Sequence, residues 1–204
     1  MSIKALIWDW EGVLLLSKDG SISTSVAKRL GVPQEKLRDF FHGDINDRVD
    51  RGECRQLDYW HHILDNLQLP RSYASRFTDF LHQDMFVDQD LLESIRRYHQ
   101  SYKTALLSNF SDILRPMLET HWKVDGAFDE IIISWEVHCI KPEPEIFQLT
   151  IDRLGCKAHE CVLIDDRMVN IEGARQFGMQ TVLFENRSQA LVELDTMLKQ
   201  TTRR

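Results

Sequence analysis

The chain has 204 residues, enough for one sizeable domain or a domain carrying a smaller insert. Hydrophobic residues make up 43% and charged residues 28%, the balance of a soluble globular chain with a core of its own. The net charge of −7 comes without a basic stripe, which argues against nucleic acid and anionic membrane as partners, and no apolar run nears the roughly 20 residues that cross a bilayer.

The chain opens on a short apolar run, Ala5-Leu6-Ile7-Trp8, of buried-strand length. It ends on Asp9-Trp10-Glu11-Gly12-Val13. Open α/β sheets keep their chemistry at the carboxyl ends of such strands. Asp9 and Glu11 lie two apart, so extended backbone turns both to one side and Trp10 to the other, where it reads as packing. Gly12 permits a sharp turn and a close approach of backbone N–H groups to a ligand. Residues 14–19 then leave the sheet as a hairpin or flap, with Asp19-Gly20 as turn signal.

Residues 16–90 read as helices without a strand. A helix over 21–30 is closed by Gly31 and Pro33, and another covers 34–41. Residues 43–52 are polar and loop-like, and Phe41, His42, Gly43, Arg48 and Arg51 read as solvated or cleft-facing. From Gln56 the helical period is clear in Leu57, Trp60, His61, Leu64 and Leu67, and a further helix carries Tyr73, Phe77, Leu81 and Met85.

From residue 91 the rhythm changes. A helix over 91–98 precedes strands at 104–107, 130–133, 161–164 and 180–184, which alternate with helices at 113–118, 146–154, 171–177 and 190–199. Apolar strands alternating with helices make a parallel sheet covered on both faces. The expected fold is therefore α/β: a Rossmann-like parallel-sheet core over 1–15 and 91–204, with a helical cap over 16–90 inserted after the first strand. Cys54, Cys139, Cys156 and Cys161 match no zinc or redox spacing. With no secretory leader in view they read as reduced thiols, and the expected location is cytoplasmic.

Polar groups mark four strand ends: Asp9 and Glu11, Ser108 and Asn109, Lys141, then Asp165 and Asp166. Several carboxylates in one cleft need a bound cation or raised pKa values, and all-oxygen ligation suits Mg²⁺. Lys141, Ser108 and backbone N–H groups, those of Asn109 and Gly12 among them, suit a phosphate. The chemistry expected of such a set is phosphoryl transfer, with Asp9 as nucleophile and Glu11 as acid and base. Asn170 reads as a cap for the helix that follows.

In these residues the sequence resembles the haloacid dehalogenase-like (HAD) hydrolases, whose motifs run Asp-x-Asp-x-Val/Thr, Ser/Thr, Lys and an acidic pair. Here they read DWEGV, LLSN, CIKPEPEIF and VLIDDRMVNIEGARQFGM. The KPEP and IDD runs, with the insert after the first strand, are similar to the subfamily I branch with a C1 cap. That branch holds the N-terminal phosphatase domain of soluble epoxide hydrolase and bacterial glucose-1-phosphate phosphatases.

The resemblance implies a Mg²⁺-dependent phosphatase acting on a small phosphorylated metabolite, a sugar phosphate or similar, as a monomer or homodimer. It implies Asp9 as nucleophile, metal held by Asp9, Asp166 and the Glu11 carbonyl with Asp165 close by, and Ser108 and Lys141 on the phosphate. Glu11 departs from the family's usual Asp, adding one methylene of reach. Four other functions stay open: a phosphomutase, a 2-haloacid dehalogenase of the same fold, a receiver-type signalling domain, and a catalytically weakened binding or regulatory protein.

Overall fold

In the computed structural model, which describes residues 2–41, 43–74, 76–124 and 126–202, the apolar run becomes β1 (Ala5–Trp8), buried along its whole length. Its side chains alternate between two apolar clusters. Leu6 and Trp8 join one face of the sheet, Ala5 and Ile7 the other. A strand covered on both sides has no polar face to show, hence the continuous hydrophobic sequence.

The chain then leaves the sheet through β2 (Leu15–Ser17). It continues as α1 (Ile22–Leu30), α2 (Glu35–Phe41), α3 (Asp44–Asp50), α4 (Gln56–Asn66) and α5 (Arg76–Asp84). It returns through β3 (Met85–Val87), antiparallel to β2 with Leu15 opposite Val87 and Ser17 opposite Met85. Two readings are corrected here. Residues 16–90 do contain strand, a ribbon forming the neck through which the insertion leaves and re-enters. The polar stretch 43–52 is helical over Asp44–Asp50, with Val49 as its buried residue.

The insertion packs on itself through aromatic rings. Trp60 of α4 stacks on Phe77 of α5 with ring centroids 3.6 Å apart, and Tyr59, Trp60 and Phe41 cluster beside them. Away from the neck it is tied to the rest of the chain. Arg51 pairs with Glu143, Gln56 N–H donates to Asp112 Oδ1 at 2.9 Å, and Trp135 Nε1 donates to the Cys54 carbonyl at 3.3 Å.

Beyond the neck, α6 (Gln89–His99) starts under an Asp88 cap that accepts from Leu91 N–H at 3.1 Å. There follow β4 (Lys103–Ser108), the short α7 (Leu114–Met117) extended by a wide turn over Leu118–Trp122, β5 (Glu130–Ile133) and α8 (Ser134–Val137). The chain ends with α9 (Pro144–Leu154), β6 (Cys161–Asp165), α10 (Met168–Phe177), β7 (Gln180–Leu183) and α11 (Arg187–Thr202).

The five-stranded sheet has the order β5-β4-β1-β6-β7, with its pairings parallel. β1 is central. Its neighbours β4 and β6 are reached by crossovers in opposite directions, so the strand order reverses beside its carboxyl end, the place where open α/β sheets leave a crevice. Among the described residues, no helix is long and apolar enough to cross a membrane.

Candidate active site

The crevice is real, and the insertion roofs it. A cavity of about 890 Å³ is lined by Asp9, Glu11, Gly12, Asn109, Lys141 and Asp166 from the sheet side, and by Asn46, Asp50, Tyr59 and Trp60 from the insertion. Phe41 also lines it. Arg48 instead pairs with Glu53 and Arg51 with Glu143, and His42 lies outside the described residues.

Asp9 follows β1 and is buried. Its Oδ1 accepts from Trp10 N–H at 2.7 Å and meets Lys141 Nζ at 2.7 Å. Among the described residues Oδ2 has no such partner, so the carboxylate is held by one oxygen and open at the other. Trp10 turns away from the crevice and packs on Trp122, centroids 5.3 Å apart, as expected of a strand-end alternation.

Lys141 is 3% exposed and lies between two acids, 2.7 Å from Asp9 and 2.6 Å from Asp165. Burial alone would lower its pKa, but Asp165 and Asp9 more than offset that and hold it raised. Asp9 is pushed well above the usual carboxylate range by burial first and by Asp165 next, with Lys141 pulling the other way. Asp166 is raised too, by desolvation and by Asp165.

The backbone of Lys141 is clamped as well. Asn109 Nδ2 donates to its carbonyl at 2.9 Å, and its N–H donates to Asn109 Oδ1 at 2.8 Å. Gly173 supplies the room. A Cβ there would come within 2.5 Å of Pro142 Cβ, so α10 can press on the Lys141-Pro142 turn only without a side chain at that position. Sequence reasoning missed both of these supports, although Asn109 stood at a strand end.

Asp165 is fully enclosed and its oxygens are engaged. Oδ2 meets Lys141, Asn170 Nδ2 reaches both oxygens at 2.9 and 3.0 Å, and Arg167 N–H donates to Oδ1 at 2.9 Å. Asn170 is therefore not the helix cap that its position suggested. It sits inside α10, whose cap position is Arg167, and reaches back to Asp165.

Gly12 also differs from expectation. Its N–H donates to the Leu15 carbonyl at 3.0 Å and so is not a free donor for a phosphate. What the glycine provides is space and a positive φ of 82°. A Cβ at that position would overlap the Asp166 carboxylate.

Carboxylate oxygens of Asp9, Asp165 and Asp166 lie within 4.8 Å of one another. One lysine against three acids leaves a negative balance, which a hard divalent cation with oxygen ligands would neutralise. The donor set thus fits Mg²⁺. Ser108 is 1% exposed, and among the described residues its hydroxyl has no hydrogen-bond partner. It stands at the end of β4, next to Asn109, which lines the cavity. Glu11 opens on the cavity, where desolvation and then Asp166 push its carboxyl up to about 7 while Arg167 pulls it down.

Residues 3–178 match the family described as haloacid dehalogenase-like hydrolase. The chain is 27% identical to rat bifunctional epoxide hydrolase 2 over 221 residues, 96% of this chain and 39% of that protein. It thus spans about two-fifths of that relative's length. It is 24% identical over 205 residues to a D-ribitol-5-phosphate phosphatase of Bacteroides thetaiotaomicron, covering 96% of this chain and 98% of that one. Among solved structures it shares the fold of a HAD family enzyme from the same organism, determined with magnesium and inorganic phosphate. There the TM-score is 0.73 at 22% identity, over 92% of this chain and 98% of that one.

Proposed function

The chain belongs to the haloacid dehalogenase-like hydrolases, and from that premise we propose that it is a Mg²⁺-dependent phosphatase of small phosphate monoesters working through an aspartyl-phosphate. The observation that carries this reading is the state of Asp9: one oxygen fixed by Trp10 N–H and Lys141, the other open to the cavity. A nucleophile needs this combination of fixed position and an unengaged lone pair.

In the proposed reaction an Asp9 oxygen attacks phosphorus, forming the acyl-phosphate bond as the ester P–O bond breaks. Glu11 gives a proton to the departing alcohol oxygen. It then takes one from the water that attacks the same phosphorus, releasing inorganic phosphate and restoring Asp9. Ser108 and Lys141 hold the phosphoryl oxygens, and Lys141 offsets their growing charge. Asp9, Asp166 and the Glu11 carbonyl would hold Mg²⁺, which supplies positive charge at the phosphoryl group. Asp165, Asn109 and Asn170 act through Lys141 by keeping it in place.

Residues 16–90 form, on this reading, a cap that selects the alcohol, over a core of 1–15 and 91–204. The named activity of the D-ribitol-5-phosphate phosphatase supports a hydrophilic monoester, and the magnesium and phosphate bound in the related fold support the ligand set. The paired Asp165 and Asp166 weigh against dehalogenation, which needs a carboxylate nucleophile but no metal.

A panel of phosphate monoesters, run with Mg²⁺ and with EDTA, tests the proposal. Phosphate release that requires Mg²⁺ supports it. Absence of release from every ester, with the protein folded and the metal present, overturns it.

A further inference from the structure

The roof of the cavity carries a polar group that the reaction above does not use. α3 sets Asn46 and Asp50 one turn apart, and Asn46 Nδ2 donates to Asp50 Oδ2 at 2.9 Å. Tyr59 of α4 completes the group. Its hydroxyl donates to the Phe40 carbonyl at 3.1 Å and lies 3.4 Å from Asn46 Oδ1. All three line the cavity shared with Asp9, Glu11 and Lys141, and Val49, Trp60 and Leu81 are among the apolar residues that line it with them.

Asn46 and Tyr59 are engaged with each other and with the backbone. Asp50 is not fully engaged. Among the described residues its Oδ1 accepts no hydrogen bond. A half-buried carboxylate beside apolar side chains gains from a second donor, and among the described residues none bonds to it. Asp50 also lines the same cavity as Glu11, the residue assigned to the departing oxygen. With the phosphoryl group held from the sheet side and the ester oxygen at Glu11, the alcohol extends into the cavity that Asp50 lines from above.

We propose, resting on the phosphatase reading, that Asp50 determines specificity by accepting a hydrogen bond from a second hydroxyl of the alcohol. It thereby selects phosphate esters of diols and polyols over those of plain alkanols. The donor is a hydroxyl and not an ammonium because Arg167 lines the same cavity and already brings positive charge to it. A cation brought to Asp50 would meet that guanidinium.

The test compares 2-hydroxyethyl phosphate with propyl phosphate, esters of equal length that differ in a terminal hydroxyl. The parent should favour the hydroxylated ester in kcat/KM by about 2- to 10-fold, the value of one hydrogen bond. Asp50→Leu should bring that ratio to one or below, and Asp50→Ala, checked by circular dichroism, should do the same. A merely structural role would lower both rates alike and leave the ratio standing. A parent ratio near one, or a ratio preserved in the folded variants, overturns the proposal alone. No turnover of either ester or of p-nitrophenyl phosphate by the parent overturns the phosphatase reading and the proposal with it.

Discussion

Lys141 and Asp9 meet at 2.7 Å, Nζ to Oδ1, and the same ammonium meets Asp165 at 2.6 Å on its other side. The lysine is thus a bridge between the strand end that offers a nucleophile and the strand end that carries the acidic pair. A buried cation shared by two acids costs little while all three are present. Removing one member leaves the others charged and desolvated.

Replacing Lys141 by Met, which keeps the bulk of the stem, is therefore expected to destabilise the protein by about 3–5 kcal/mol. In a chain of this size that lowers Tm by about 10 °C. Added Mg²⁺ should recover part of the loss, since it restores positive charge beside Asp9. Thermal melts with and without Mg²⁺ check this; a variant as stable as the parent would mean that the three groups do not share charge.

Asp165 and Asp166 should separate by readout. Asp165 is engaged by Lys141, Asn170 and the Arg167 N–H, whereas Asp166 is exposed beside Gly12. Even an outer partner of a metal ligand is worth about 10- to 100-fold in affinity. Asp166→Asn is expected to weaken Mg²⁺ binding at least that much with little change in Tm. Asp165→Asn should lower Tm and keep Mg²⁺ binding within a few-fold. Calorimetric Mg²⁺ titration of both variants decides; the reverse pattern would make Asp165 the ligand.

Gly173→Ala places a methyl group against Pro142, whose turn carries Lys141. Overpacking of this kind costs about 1–3 kcal/mol. The expected signature is a modest fall in Tm with a larger fall in kcat than in KM, because the displaced group acts on the phosphoryl oxygens. Unchanged kcat would show that α10 does not position Lys141.

Asp50 gives a pH dependence of stability. Desolvation, then Glu11 and Asp47, push its carboxyl up to about 8 in the folded protein. A raised carboxyl binds its proton more tightly folded than unfolded. Its stabilising effect is complete below the unfolded value of about 4 and is lost as pH rises towards 8. Asp50→Asn removes that loss, so in metal-free buffer its Tm relative to the parent should climb between pH 5 and 8. A difference that is flat with pH would contradict the assignment.

What could be read in the sequence followed from how each group announces itself. Asp9, Ser108, Lys141 and Asp166 stand at or beyond the ends of apolar strand runs, and because β1 lies between β4 and β6 the sheet brings Asp9, Lys141 and Asp166 to one cavity. α3 was hidden. Its residues are polar nearly all round, with only Val49 buried, so it has no apolar period to read. Asn46 and Asp50 are spaced i, i+4, the one local hint of a helix face. β3 is three residues long, too short for an alternation to show. Asn109 and Gly173 work by touching residues far along the chain, a relation that spacing does not contain, and Asn170 reaches back five residues past the start of its helix.

The central claim is that Asp9 becomes covalently phosphorylated, and trapping that species tests it most directly. Enzyme mixed with Mg²⁺ and a ³²P-labelled monoester, then quenched in acid within the first turnover, should carry label on the peptide containing Asp9. The label should be released by hydroxylamine and be missing in Asp9→Asn. Turnover without labelled enzyme, label on another residue, or near-parental turnover by Asp9→Asn would contradict the claim.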